Sequence, residues 1–123
     1  MMRKTIKVGI MSKPDYIKRT IAIAKGDYKP KKGEPKVWFE SLGSMAQVLG
    51  AENQELLKVI IEKSPHSLGE LEALTGRKKP NLSRTLRTLE RYGVVSLEKD
   101  CNRVVPRVNA TNFKVEFGLG SGA

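Results

Sequence analysis

The stretch from Ser67 to Gly93 divides into two short amphipathic segments, and this division constrains the fold more than any other feature of the chain. Ser67, followed three residues later by Glu70, has the spacing of a capping box, in which hydroxyl and carboxylate each bond a free amide at a helix start. We therefore predict a helix of about two turns from Leu68. It should end at Gly76, because glycine readily adopts the left-handed conformation that closes helices. Its apolar side is formed by Leu68, Leu71 and Leu74.

A second helix is predicted from about Pro80 to about Tyr92, after the basic link of residues 77–79. Proline suits the first helical turn, where its missing N–H would have no partner. Steps of about 100° per residue put three leucines on one stripe and three arginines almost opposite. These residues are Leu82, Leu86 and Leu89, and Arg84, Arg87 and Arg91. Two such helices on a short turn must cross steeply to share a core, so the arginine face projects outward, where it would fit a DNA major groove.

The sequence VVSLEKDCNRVVPRV, which follows Gly93, predicts a β-hairpin. Two β-branched runs flank the polar KDCN, the pattern of two strands and a turn. Pro106 restricts the second strand to an edge position, because proline has no N–H for a neighbouring strand. Lys99, Asn102 and Arg103 fall at or near the tip, where cations can meet phosphate or a narrow minor groove.

From about Ala51 to Val108 the chain resembles MarR-like winged helix-turn-helix regulators. The resemblance is carried by LGELEALTG, then NLSRTLRTLERYGVV, then the hairpin. It implies that the second helix reads the major groove and that the hairpin, the wing, lies by the neighbouring minor groove or backbone. Taken with the charged faces, it assigns DNA contact to Lys78, Lys79, Asn81, Ser83, Arg84, Arg87, Arg91, Lys99, Asn102 and Arg103.

The net charge of +10 is distributed unevenly along the chain. Residues 1–36 carry 11 Lys or Arg against 3 acids, and residues 37–76 carry 2 against 6. Residues 77–91 carry 6 against 1, and residues 92–123 carry 4 against 3. Two basic blocks around an acidic segment are expected of a polyanion binder with a separate scaffold. The alternative is a solvated surface, which the overlap of the second block with the reading helix disfavours.

Several classes of function find no support in the sequence. The single Cys101 and the single His66 predict no internal disulfide and no metal site, and we expect no cofactor. We expect the acids Glu52, Glu55, Glu62, Glu70 and Glu72 to be solvated on helix surfaces or caps, and we expect no enzyme. No apolar run of 18 residues and no secretion signal occur, which predicts a cytoplasmic protein without a membrane partner.

The remaining segments are read from their periodicity. TIKVGIM at residues 5–11 alternates like a half-buried strand, and NFKVEF at 112–117 does the same, so the two strands are expected to pair within one chain or across a dimer. A surface helix follows Ser12 and ends at Gly26, with Ile17, Ile21 and Ala24 on its apolar side. Its basic side could touch DNA or face water.

Two further helices complete the reading. Trp38, Leu42, Met45 and Leu49 recur at helical spacing, which predicts a helix over about residues 41–49. Residues 52–63 form the first helix of the winged domain, with Leu56, Leu57, Ile60 and Ile61 as its apolar face. Between residues 26 and 35, two Gly, two Pro and three Lys indicate a linker; Lys29, Lys31 and Lys32 would either contact phosphates or only aid solubility.

The predicted fold class is α+β, a winged helix-turn-helix of three helices and a hairpin wing with an N-terminal strand-helix extension. Residues 1–36 are expected to form the basic extension and linker, residues 37–117 the winged domain with its preceding helix and C-terminal strand, and residues 118–123 a flexible, Gly-rich tail. The expected function is a sequence-specific regulator that binds double-stranded DNA as a homodimer and represses by occlusion. The alternative is an antitoxin that represses its own operon and binds a toxin protein. RNA binding is weaker, because no aromatic residues interleave with the basic faces.

Overall fold

The computed structural model describes residues 4–119, and these residues form an α+β fold. The elements run in the order β1 Thr5–Ile10, α1 Lys13–Lys25, β2 Val37–Phe39, α2 Leu42–Val48, α3 Ala51–Lys63, α4 Leu68–Thr75, α5 Lys79–Arg91, β3 Val95–Asp100, β4 Arg103–Val108 and β5 Asn112–Glu116. Within residues 4–119, no helix combines the length and the apolar character needed to cross a lipid bilayer.

β1 is the middle strand of a three-stranded sheet whose order is β2-β1-β5, and both of its neighbours run parallel to it. Val8 pairs with Val37 on one side and with Val115 on the other. The expected pairing of the two alternating strands is therefore confirmed within a single chain. The sheet also joins segments from both sides of the boundary expected between residues 36 and 37.

The helices α3, α4 and α5 enclose the larger apolar cluster, with the antiparallel β3–β4 hairpin packed beside them. β4 lies against α3 and α4, and β3 lies against α5. The buried members of this cluster are Leu56, Leu57, Ile60, Leu71, Leu82, Leu86, Leu89, Val94 and Val95. A smaller cluster is formed by Val8, Val37 and Phe39 on one face of the three-stranded sheet. Phe39 stacks on Tyr92, with ring centroids 4.3 Å apart, so the two clusters meet at the end of α5.

The predicted ends of α4 are confirmed. The Ser67 side chain accepts a hydrogen bond from the Glu70 N–H at 3.1 Å, and Gly76 closes the helix with φ of 76°. The return bond of the capping box differs from the expectation, because the Glu70 carboxylate accepts from the His66 N–H at 3.3 Å. The helix after the turn begins at Lys79, one residue before the predicted start, with Pro80 in its first turn.

The placement of Trp38 on a helical stripe is wrong. Trp38 belongs to β2 and pairs with Gly9 of β1. The helix expected over about residues 41–49 is present as Leu42–Val48, but Leu42 on its expected buried stripe is 44% exposed. The Trp38 ring lies over Gly9, where a Cβ would overlap it. A glycine in β1 is therefore needed for the indole to lie flat on the sheet.

Four apolar side chains expected in buried faces are in fact exposed. Ile17 and Ile21 of α1, Ile61 of α3 and Leu74 of α4 keep between 39% and 49% of their surface in solvent. No residue of α1 is buried. The pattern therefore predicted α1 correctly as a helix, but the side chains expected on its apolar face are exposed to solvent in the single chain.

The segment between α1 and β2 has no helix or strand, as expected of a linker. Hydrogen bonds to Glu34 nevertheless hold it in place. The Glu34 carboxylate accepts hydrogen bonds from the Tyr28 hydroxyl, from Arg19 at 2.8 Å and from the Lys31 N–H at 3.0 Å. The Arg19 guanidinium lies 5.1 Å from the centre of the Trp38 ring. These contacts hold the segment against α1, while the side chains of Lys29, Lys31 and Lys32 are exposed.

Candidate nucleic-acid interface

The outer surface of α5 carries a row of cations above a fully apolar inner face. Leu82, Leu86 and Leu89 are at most 1% exposed, and Arg84 and Arg87 are exposed on the opposite side, as predicted. Arg91 continues the row one turn after Arg87. Within residues 4–119, no carboxylate lies at ion-pair distance from these three arginines. The row therefore presents uncompensated positive charge to solvent.

Two of the expected contact residues do not share that surface. Ser83 is half-buried and lies about 100° around the helix from Arg84. Lys79 is exposed, but its ammonium lies beside Gly69 of α4, 3.8 Å from where a Cβ on that residue would be, and its N–H donates to Glu72 at 3.0 Å. Lys79 is thus directed toward α4, and Ser83 lies between Lys79 and Arg87 around the helix, at the edge of the arginine surface.

Arg77 fixes the turn between α4 and α5, a role that the sequence analysis missed. Its guanidinium donates to Asn81 Oδ1 at 2.8 Å, to Thr85 Oγ1 at 2.9 Å and to Asn53 Oδ1 at 3.3 Å. One side chain therefore joins the turn, the first half of α5 and the start of α3. The four-residue spacing from Arg77 to Asn81 was a weak signal for the local part of this network, and Asn53 gave none.

Asn81 is exposed on α5 near the arginine row, and its amide is partly engaged. Because Oδ1 accepts from Arg77, the side chain offers chiefly its Nδ2 donors to a ligand. Lys78 precedes it as the N-cap residue of α5 and is exposed. The first turn of α5 therefore presents donors and positive charge, the chemistry that binds anionic oxygens.

A cavity of about 730 Å³ borders this first turn, between α3 and the end of α4. Its apolar part comes from Leu56, Val59 and Leu74, and its rim carries Arg77 and Lys78. Glu52 and Glu55 also line it, and both are exposed, as expected of solvated acids on a helix surface. The cavity mixes charges of both signs and is distinct from the arginine row.

The hairpin ends in the two residues Cys101 and Asn102, between β3 and β4. Lys99, Asn102 and Arg103 are exposed at this end, the location that the sequence predicted. Further along the hairpin, Arg107 pairs with Glu98 at 3.0 Å. The free cations of the hairpin are thus concentrated at its tip.

The comparisons with known proteins bear on the same part of the chain. No curated protein and no solved structure matches it. The family model HVO_A0114 matches residues 48–115, which is more than half of the 123 residues and runs from the end of α2 through α3, α4, α5 and the hairpin into β5. The chain therefore belongs to the HVO_A0114 family.

Proposed function

We propose that the chain is a sequence-specific, double-stranded DNA-binding transcriptional regulator with a MarR-like winged helix-turn-helix. In this proposal α4 and α5 are the helix-turn-helix, α5 enters the major groove, and the β3–β4 hairpin is the wing. The protein acts as a homodimer and represses by occupying a promoter.

One observation carries the proposal, the division of α5 into a buried leucine face and an exposed arginine face. A helix of 13 residues is about 20 Å long, and a helix fits the major groove, which is about 12 Å wide. Arginine reads guanine through paired hydrogen bonds to O6 and N7. A helix fixed by its leucines to the core can therefore hold Arg84 and Arg87 at defined base pairs.

The remaining candidate residues divide by their surroundings. Lys78 and Asn81 in the first turn of α5, and Arg91 at its end, are suited to phosphates, as are the hairpin residues Lys99, Asn102 and Arg103. Asn81 is less suited to the paired contact with adenine, which needs its oxygen as well as its nitrogen, because Arg77 occupies that oxygen. Ser83 and Lys79 would contact DNA only at the α4 edge.

The proposal is tested by an electrophoretic shift assay on the DNA upstream of the protein's own reading frame. Arg84→Ala and Arg87→Ala should each weaken specific binding by about 1–3 kcal/mol and relax the preference at one base position. Lys18→Ala, which removes one exposed charge from α1, is the matched control and should change the affinity much less. Unchanged affinity in both arginine variants, with intact circular dichroism, would exclude α5 as the reading helix.

The antitoxin alternative is favoured by a different observation, the exposed apolar face of α1. Ile17 and Ile21 are 48% and 49% exposed there, on a surface that DNA binding does not use. Such a face suits a protein partner. Co-expression with the product of the adjacent reading frame tests it: co-purification that is lost in Ile17→Asp, with DNA binding retained, would support an antitoxin.

A further inference from the structure

β5 is an edge strand whose outer backbone groups face away from the sheet. It pairs only with β1 among the described residues, and the Asn112 N–H donates to the Lys4 carbonyl at 3.1 Å. Successive residues of a strand direct their N–H and C=O groups to alternate sides of it. The N–H and C=O groups of Lys114 therefore also face β1. Those of Phe113 and Val115 face outward, where they can pair with another strand.

The side chains of β5 are complementary to those of a second, antiparallel β5. If Val115 lies opposite itself on a two-fold axis, Lys114 of each copy lies opposite Glu116 of the other. On the other face of the sheet, Phe113 of each copy lies across from Phe117 of the other copy. Opposite charges and aromatic pairs directly across strands stabilise such a pairing. Val115 and Phe117 are 43% and 55% exposed in the single chain.

An apolar trough of about 350 Å³ lies beside this edge, under the face that carries Phe113 and Val115. Its apolar lining comes mainly from Met45, Leu49, Leu57, Ile61, Phe113 and Val115. Ile61, expected to be buried, is 39% exposed at this place. Phe117 of a second copy, placed opposite Phe113, would cover the trough, so the backbone edge, the charges and the apolar surface all fit the same partner.

We propose that a second copy of the chain pairs its β5 antiparallel with this edge, about a two-fold axis through Val115, to form a continuous six-stranded sheet. The axis is perpendicular to the sheet, so helices α3, α4 and α5 of both copies lie on the same face of the six-stranded sheet. The interface stands independently of the proposed function. Only its use, to present two α5 helices to one DNA, rests on that proposal.

The test is a charge exchange read by light scattering without DNA, at tens of micromolar protein. Lys114→Glu places two acids opposite two acids, and Glu116→Lys places two bases opposite two bases. Each variant alone should dimerise at least about tenfold more weakly than the wild type, because like charges directly opposite are destabilising. An equimolar mixture restores both opposite-charge pairs and should return to a dimer.

The mixture is needed because Glu116 also pairs with Lys7 of its own chain at 3.3 Å. Loss of that pair would weaken a single variant but could not be repaired by the other variant. A wild-type chain that is monomeric, single variants that dimerise like the wild type, or a mixture that stays monomeric would each overturn the proposal.

A backbone variant tests the same interface without charge. Val115→Pro removes an N–H that faces outward, so it should abolish the dimer and leave the circular dichroism unchanged. Lys114→Pro is the matched control, because it removes an N–H that faces β1 and should destabilise the sheet itself. A fully dimeric Val115→Pro variant would overturn the proposed edge pairing.

Discussion

The helices α1 and α5 are both 13 residues long and rich in cations, but the apolar stripe predicted for each is exposed in α1 and buried in α5. In α5 the leucines are buried and the arginines are exposed. In α1, Ile17 and Ile21 are almost half exposed, while the Arg19 side chain keeps only 17% of its surface in solvent. The other cations of this helix, Lys13, Lys18 and Lys25, are exposed.

The difference comes from what each helix lies against. The leucines of α5 meet the side chains of α3, α4 and β3, so apolar burial sets its orientation. α1 lies beside Trp38, Tyr28 and Glu34, which together provide two aromatic faces and a carboxylate for one guanidinium. Such partners stabilise a cation in a partly buried position. The orientation of an amphipathic helix therefore depends on its neighbours as well as on its own pattern.

The largest expected contrast is in stability. Leu86→Ala on α5 should lower the free energy of unfolding by about 2–5 kcal/mol, because the side chain is 1% exposed and its loss leaves a cavity. Ile21→Ala on α1 should change it by no more than about 0.5 kcal/mol, because the side chain is 49% exposed. Urea unfolding measures both values.

The pair of variants also tests whether α1 is free in solution. A loss of 2 kcal/mol or more in Ile21→Ala would mean that a second copy or another segment covers the apolar face of α1. The contrast between the two helices would then hold for the single chain only. Repeating the unfolding at several protein concentrations separates these two explanations, since only a second copy on α1 makes the difference between Ile21→Ala and the wild type depend on concentration.

The sequence was sufficient where structure depends on residues close together in the chain. Ser67 and Gly76 define the ends of α4, and the leucine spacing of α5 defines its buried face, because caps and stripes need only neighbours within about four residues. The hairpin and the exposed cations at its tip follow from the same local reasoning. The α+β class and much of the candidate interface were therefore predictable.

The errors come from contacts that are distant along the chain. Trp38 shares a helical spacing with Leu42 by coincidence, and its strand exists because β1, 29 residues earlier, pairs with it. The return bond of Glu70 is a local exception, since it goes to the His66 N–H, one residue before the N-cap. Arg77 was read as part of a basic link, but Asn53 in α3 is one of its partners. Periodicity contains no information on such partners.

The second contrast separates arginines that hold structure from arginines that face solvent. Arg77→Lys keeps the charge, but a single ammonium cannot reach Asn53, Asn81 and Thr85 together, as the planar guanidinium does. We expect a loss of about 1–2 kcal/mol in the free energy of unfolding. Arg91→Lys on the exposed end of α5 is the matched control and should leave stability unchanged. Equal effects of the two substitutions would mean that the Arg77 network contributes nothing.

The smallest expected effect concerns Glu34, the carboxylate that holds Arg19 inward. The hydrogen bond from Tyr28, then those from Arg19 and the Lys31 N–H, lower the pKa of Glu34 from 4.5 to about 2. A carboxyl whose pKa is lowered by folding stabilises the protein above its unfolded pKa, and this stabilisation is lost as the pH falls from about 4.5 toward 2. Glu34→Gln should therefore be less stable than the wild type at pH 7, and the difference in urea midpoint should shrink across that window.

Tyr28→Phe removes the first of the three donors and should shift the window to higher pH. If the difference between the wild type and Glu34→Gln is the same at pH 7 and pH 3, Glu34 does not hold Arg19 through its charge, and the inward orientation of Arg19 must then rest on the aromatic rings of Trp38 and Tyr28.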